Sequence, residues 1–192
     1  MSTWKDGPED GILVEAAVKG DEGAFAELIR RHKRKVLNLA ARFARDRGEL
    51  DDVAQETFVK AYLNLGGYRG EAPFEHWLMR IAVRACYDLL RRRGKQSRDV
   101  PLEDIEGTLR APDTGGAEAM EAKEILDRAL CRLRPDERLV ITLMELSEKT
   151  VSETAALTGL SEANVKVKAF RARKALKKIL EMEDEDGRQG RP

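Results

Sequence analysis

The chain has 192 residues, room for one ordinary domain or two small ones, and its 35 Lys+Arg balance 35 Asp+Glu. A formal net charge of zero gives no whole-chain pull toward nucleic acid, although 36% charged residues exceeds the usual ~25%. No apolar run approaches the ~20 residues of a membrane span, the start MSTWKDGPEDG lacks a secretory profile, and Cys86 and Cys131 with two histidines make neither a disulfide framework nor a zinc site. The expectation is a cytoplasmic protein that binds no metal or cofactor and does not insert into a membrane.

Helical periodicity dominates, and no alternating strand pattern competes with it. Ile12 to Val18 predicts a short first helix. A long one follows Asp21, with Phe25, Leu28, Ile29, Val36, Leu39, Ala40 and Phe43 at three- and four-residue spacing. Asp51 or Asp52 can cap the next helix, which runs to about Leu65 and stops at Gly66-Gly67. After the loop Tyr68 to Ala72, Pro73 suits a first helical position, and the helix Phe74 to Arg93 ends before Gly94. Residues 98–118 hold Pro101, Pro112 and Gly115-Gly116 without a lasting period, and read as a flexible acidic linker. Helices follow at about Ala119 to Leu133, Pro135 to Leu146, Ser152 to Thr158 and Glu162 to Met182, with a charged tail at 183–192. The fold class is all-α: two small helical domains, 1–97 and 119–182, the second a helix-turn-helix.

The zero net charge conceals segregation. Arg80 to Arg98 carries Arg80, Arg84, Arg91, Arg92, Arg93, Lys95 and Arg98 against Asp88 alone, and Asn164 to Leu180 carries only bases. Acidic stretches follow each block, from Asp99 to Glu124 and past Glu181. Two basic blocks point to two binding surfaces.

The segment VSETAALTGLSEANVKVKAFRARKAL has the layout of a helix-turn-helix. Ser152 caps the first helix, Ala155 permits a close crossing, Gly159 takes the left-handed turn, and Ser161 caps the second helix. Val165, Ala169, Ala172, Leu176 and Ile179 form its apolar stripe. The opposite face carries Asn164, Val167, Phe170, Arg171, Lys174 and Lys178, flanked by Lys166, Lys168, Arg173 and Lys177. In a major groove Arg171 can bond guanine, Asn164 adenine, and Val167 a thymine methyl. The flanking lysines neutralise phosphates. Phe170 either joins this reading face or packs on the preceding helix.

In the N-terminal half, DDVAQETFVKAYLNL is apolar on two sides. Ala54, Phe58, Ala61 and Leu65 suit a core, whereas Val59 and Leu63 among Asp52, Gln55 and Glu56 form an apolar pair ringed by polar groups, the pattern of a protein contact. The helix PFEHWLMRIAVRACYDLLRRR buries Phe74, Leu78, Ile81, Ala82, Ala85 and Leu89. It presents Trp77, Arg80, Arg84, Tyr87 and Arg91 on an adjoining face, an arrangement suited to stacking and charge contacts with single-stranded nucleic acid. A flipped base could equally be held beside the loop Tyr68 to Ala72, and Trp77 and Tyr87 could equally be the edge of the core.

The strings DDVAQETFVKAY, FEHWLMRIAVRACYDLLRRR, LRPDERLVITLMELSEKTVSETAALTGLS and NVKVKAFRARKAL, in that order from about Asp21 to Leu180, resemble the extracytoplasmic-function (group 4) bacterial sigma factors. The resemblance implies a subunit that joins core RNA polymerase, directs it to promoter DNA for transcription initiation, often in a stress response, and is held by an anti-sigma factor. It places core-polymerase binding on Asp52, Gln55, Glu56, Val59 and Leu63. It places unpaired minus-ten DNA on Tyr68, Phe74, Trp77, Arg80, Arg84, Tyr87, Asp88 and Arg91. Duplex minus-thirty-five DNA falls to Ser161, Asn164, Lys166, Val167, Lys168, Phe170, Arg171 and Lys174. It also threads the acidic linker into the polymerase near the RNA exit path. Arg84 stands where many relatives have asparagine, and Val167 where many are polar. No nucleophile–base pair or carboxylate cluster points to catalysis, so the chain is expected not to be an enzyme, with His32 and His76 structural. The competing reading is a freestanding helix-turn-helix regulator, which leaves the Asp52–Gln55–Glu56 patch and the Trp77 face without purpose.

Overall fold

The computed structural model of the chain describes residues 8–96 and 117–189. Over that range it forms eight α-helices and no strand: α1 (Pro8–Val18), α2 (Glu22–Ala40), α3 (Arg47–Asn64), α4 (Phe74–Gln96), α5 (Ala117–Cys131), α6 (Pro135–Ile141), α7 (Val151–Thr158) and α8 (Glu162–Gln189). A 3-10 turn, Leu65–Gly67, follows α3, and a π turn, Thr142–Leu146, continues α6. The chain divides into two compact units, Met1–Leu89 and Leu90–Pro192. Most of the expected linker, and the acids placed in it, lie outside the described residues, as do the side chains of the acidic tail. Among the described residues no helix is long and apolar enough to cross a membrane, and no His, Cys, Asp and Glu cluster could hold a metal.

In the first unit, Asp21 caps α2 by accepting from the Ala24 amide at 3.0 Å. The α2 stripe then buries Phe25, Leu28, Val36, Leu39 and Ala40, and Phe43 joins the core from the turn beyond the helix. The start of α3 lies five or six residues before the expected caps. Asp46 accepts from the Glu49 amide at 2.9 Å, while the Glu49 carboxylate accepts from the Arg45 amide at 2.7 Å. These bonds satisfy donors of the first turn at Asp46, so Asp51 and Asp52 fall inside the helix and stay exposed. Val53, Ala54, Thr57 and Ala61 face inward. Thr57 is tolerated there because its hydroxyl donates to the Val53 carbonyl at 2.7 Å. Helix α4 begins at Phe74, with Pro73 supplying the first carbonyl to the Trp77 amide at 3.0 Å. It continues through Gly94 to Gln96, because Gly94 does not take the positive φ that a terminating glycine adopts.

In the second unit, α8 is seated by two apolar clusters. Leu130, Leu133, Ile141 and Ala172 make one, with Leu126, Leu146, Leu176 and Ile179 packed against it. Val140, Val165 and Ala169 make the other, beside Met144, Val151, Ala155 and Leu160. Thr150, not Ser152, caps α7: its hydroxyl accepts from the Glu153 amide at 3.2 Å, and the Glu153 carboxylate accepts from the Thr150 amide at 2.8 Å. That reciprocal pair outcompetes the hydroxyl two residues on, and Ser152 is exposed. Gly159 then turns the chain at φ 75° and donates to the Ala155 carbonyl at 2.9 Å. Helix α8 runs to Gln189, beyond the expected end near Met182.

A Cβ at Gly159 would meet nothing within 4 Å, so the cost of a side chain there is a backbone cost. Gly159→Ala is expected to destabilise the protein by about 1 kcal/mol, read as a lower urea midpoint. An unchanged midpoint would mean that the turn does not need its left-handed geometry.

Candidate polymerase and nucleic-acid interfaces

The outward side of α3 is an apolar strip with a polar margin. Asp52 and Gln55 are exposed, Val59 and Leu63 are 49% and 74% exposed, and Glu56 is half-buried. The Lys60 ammonium lies 2.6 Å from the Glu56 carboxylate and 3.6 Å from Asp88 on α4. Tyr62 belongs to the same strip, 50% exposed, its ring edge-on to Phe25 with centroids 5.0 Å apart. Sequence reasoning missed it, although its spacing of three from Val59 marks the same face. Of the four residues expected to face the core, Ala54, Ala61 and Leu65 are buried and Phe58 half-buried.

The second surface lies on α4 and the loop before it. Tyr68 is half-buried, and its hydroxyl donates to the Ala72 carbonyl at 2.6 Å, closing the loop on itself. Gly70 takes φ 68° inside that loop, which a side chain would strain. The Tyr68 ring stands 5.4 Å from Trp77 and 5.9 Å, edge-on, from Phe74. Phe74 lies 5.6 Å from Trp77 and is only 1% exposed, so it supports the other two rings rather than presenting its own. Arg80, Arg84 and Arg91 are exposed and Tyr87 half-buried, on one stripe at spacings of four, three and four. Asp88 sits beside this stripe, tied to Lys60. Ile81, expected in the core, is half-buried; Val83, Cys86 and Leu90 are buried as well as the predicted residues.

The third surface is the outer face of α8. Ser161 accepts from the Asn164 amide at 3.3 Å and so caps the helix. Val165, Ala169 and Ala172 are buried, which turns Asn164, Lys166, Val167, Phe170, Arg171 and Lys174 into solvent. Phe170, 67% exposed, does not serve the packing against α7. Two other cations of this helix are held from α6 and the turn after it: Lys168 pairs with Asp136, and Arg173 lies 2.6 Å from Glu145. The partial burial of Asp136 works to raise its carboxyl, but the hydrogen bond and charge of Lys168 outweigh it and hold the group below the usual carboxylate range. With the apolar stripe buried and Lys168 and Arg173 held in these pairs, Arg171 and Lys174 stand outward.

Comparison with known proteins converges on one family. Residues 28–96 match Sigma-70 region 2 and residues 123–176 match Sigma-70, region 4. The chain is 34% identical over 171 residues to the ECF RNA polymerase sigma factor SigM of Mycobacterium tuberculosis, covering 89% of this chain and 84% of that protein. It is 36% identical over 182 residues to the RNA polymerase sigma-H factor of Pseudomonas aeruginosa, covering 90% and 94% respectively. Among solved structures, CnrH in complex with the cytosolic domain of CnrY superposes with a TM-score of 0.60 at 29% identity, over 91% of this chain and 98% of CnrH.

The Asp136 pair makes a pH prediction. A carboxyl held below its unfolded value contributes stability above the unfolded pKa, near ~4, and loses it as the pH falls through the folded value. Asp136→Asn should therefore lower the urea midpoint at neutral pH, and the gap from the parent should close on acidification. A gap of equal size in acid and at neutrality would mean that Lys168 and Asp136 are not coupled.

Proposed function

The chain belongs to the extracytoplasmic-function sigma factors, and from that membership we propose how its own residues divide the work. Such a protein is not an enzyme: it binds core RNA polymerase and directs it to promoters for transcription initiation. Both sigma regions lie on this chain, so the freestanding regulator is set aside. In our reading the outward strip of α3, Asp52, Gln55, Glu56, Val59 and Leu63, docks on the polymerase. Tyr68, Trp77, Arg80, Arg84, Tyr87 and Arg91 take the unpaired strand of the minus-ten element, with Phe74 beneath them and Asp88 at the margin. Asn164, Val167, Phe170, Arg171 and Lys174 read the minus-thirty-five duplex, with Ser161, Lys166 and Lys168 at its edges. Residues 1–97 and 119–182 are then the two working domains, joined by the acidic linker, and the site of action is the cytoplasm, where polymerase and promoter meet.

The observation that carries the reading is the opposition of faces on α8. Its apolar stripe is buried in two clusters, so a guanidinium, an ammonium and an amide must all stand outward on one side. An amide and a guanidinium on an exposed helix face match the donor and acceptor pattern of base edges, and the neighbouring lysines match phosphates. CnrH is solved with the cytosolic domain of CnrY. That relative supports a proteinaceous regulator for this chain too, an anti-sigma factor.

Transcription from a randomised promoter library with core polymerase tests the whole reading: a recovered pair of elements at fixed spacing is expected, and its absence would overturn it. Gln55→Ala and Asp52→Ala should weaken core binding without changing affinity for the upstream duplex; unaltered core affinity would remove α3 from the docking surface. Arg171→Ala should relax preference at one position of the upstream element by about 1–3 kcal/mol. A uniform loss across sequences would assign Arg171 to phosphate instead.

A further inference from the structure

Phe74 is the lowest ring of the aromatic group on α4, and His32 of α2 lies directly against it, with ring centroids 5.4 Å apart. His32 is 6% exposed. Its Nε2 donates to the Asp10 carboxylate of α1 at 2.8 Å, and its Nδ1 is buried without a partner among the described residues. One hydrogen bond and one ring contact therefore define where the imidazole sits. The Asp10 carboxylate is an anchor rather than a loose end: it is buried, and its other oxygen accepts from Arg31 at 3.2 Å. Arg31 is in turn held by Glu27 at 2.9 Å.

Packing alone does not ask for this arrangement. A leucine would fill the same stripe of α2 without burying a carboxylate, an imidazole and an unpaired ring nitrogen, each of which carries a desolvation cost. An imidazole bonded at one corner differs from leucine in having a fixed plane. Phe74 meets that imidazole at a tilt of 58° and itself packs against both the Tyr68 and the Trp77 rings.

We propose that His32, fixed by Asp10, is a positioning residue for the unpaired promoter strand: it fixes the placement of Phe74 and through it that of the Tyr68 and Trp77 rings packed on Phe74. The proposal rests on the reading that Tyr68 and Trp77 hold bases of the minus-ten element. It gives α1, which carries none of the assigned contact residues, a part in promoter capture. The docking of α2 against α4 does not depend on His32 alone, because Lys35 and Glu75 pair across the same two helices. Disturbing the imidazole should therefore misplace the rings without separating the helices.

The test uses holoenzyme and a forked promoter fragment whose minus-ten strand is unpaired, drawn from the library selection above. The chain carries Trp4→Phe so that Trp77 is its only tryptophan. Stacking of one base on an aromatic side chain is worth about 1–3 kcal/mol, so a misplaced platform should cost roughly fivefold or more in fork affinity. His32→Leu and Asp10→Ala are expected to show that loss in holoenzyme together with a shifted Trp77 emission in the free chain. Affinity for core polymerase and for the upstream duplex should stay at the parent level. Asp10→Asn retains an oxygen that accepts from Nε2 and should restore fork binding to near the parent value. If His32→Leu and Asp10→Ala bind the fork as the parent does while Trp77→Ala does not, the positioning role is wrong and the minus-ten reading stands. If Trp77→Ala also binds as the parent does, the reading itself falls and this inference with it. Equal losses of core and fork affinity in both variants, with no rescue by Asp10→Asn, would make the pair a folding element only and overturn the proposal.

Discussion

A helix has one cylindrical surface, and every side chain given to the core is withdrawn from a partner. In α8 the core takes Val165, Ala169 and Ala172, and the small alanines let the helix approach its neighbours closely. What remains outward is Asn164, Val167, Phe170, Arg171 and Lys174. In α3 the core takes Val53, Ala54, Thr57 and Ala61 and leaves Asp52, Gln55, Val59, Tyr62 and Leu63. Helix α4 is the most deeply committed of the three, with Phe74, Leu78, Ala82, Val83, Ala85, Cys86, Leu89 and Leu90 all buried. Its outward stripe is accordingly narrow and carried by long arginines, which extend beyond the surface that the buried residues leave.

The same division explains how a chain of zero net charge presents cationic surfaces. Some charges are used within the fold: Glu27 is drawn down to about pKa 2 by hydrogen bonds from Arg30 and then Arg31, and both ion pairs lie on α2. Others pair across elements, as Asp136 and Glu145 do with Lys168 and Arg173 of α8. The exposed Arg173–Glu145 pair adds little stability, but both pairs consume cations selectively. The bases they leave outward on α8 include Arg171 and Lys174 of the proposed reading face, so local pairing as well as total charge bears on where phosphate would be attracted.

The elements of this fold were readable where one period runs unbroken. The α8 stripe from Val165 to Ile179 and the Gly159 turn could be placed from spacing alone, and so could the polar-ringed Val59–Leu63 pair. The starts of α3 and α7 were misplaced for a shared reason. Each has more than one capping candidate within a few residues, and the winner is the one with a glutamate three residues on: Asp46 with Glu49, and Thr150 with Glu153. That signal is local and was there to be weighed. The Asp10–His32 bond was not, because 22 residues separate its partners and no periodicity marks a tertiary hydrogen bond. The π turn after α6 is likewise invisible locally: Thr142 to Leu146 reads as ordinary helix, and only the Thr142 carbonyl accepting from the Ser147 amide shows the wider ring.

The two surfaces proposed to face DNA differ in stiffness in a way that follows from their proposed targets. Duplex DNA is itself rigid and presents its base edges at fixed spacing, so α8 can use long, rotatable lysines and arginines that adapt to it. An unpaired strand has no such order, and holding it costs conformational entropy that a preformed platform reduces. The surface proposed for the minus-ten strand is built accordingly. Tyr68 is tied by its hydroxyl to Ala72, Gly70 allows the loop to close, and Phe74 is locked in the core beneath Trp77. Rings with few rotatable bonds, placed in advance, let the stacking energy of the bases appear as binding instead of being lost to ordering the protein. The buried polar group at Asp10 and His32 is consistent with that demand, since a directed bond fixes an orientation that hydrocarbon packing leaves adjustable.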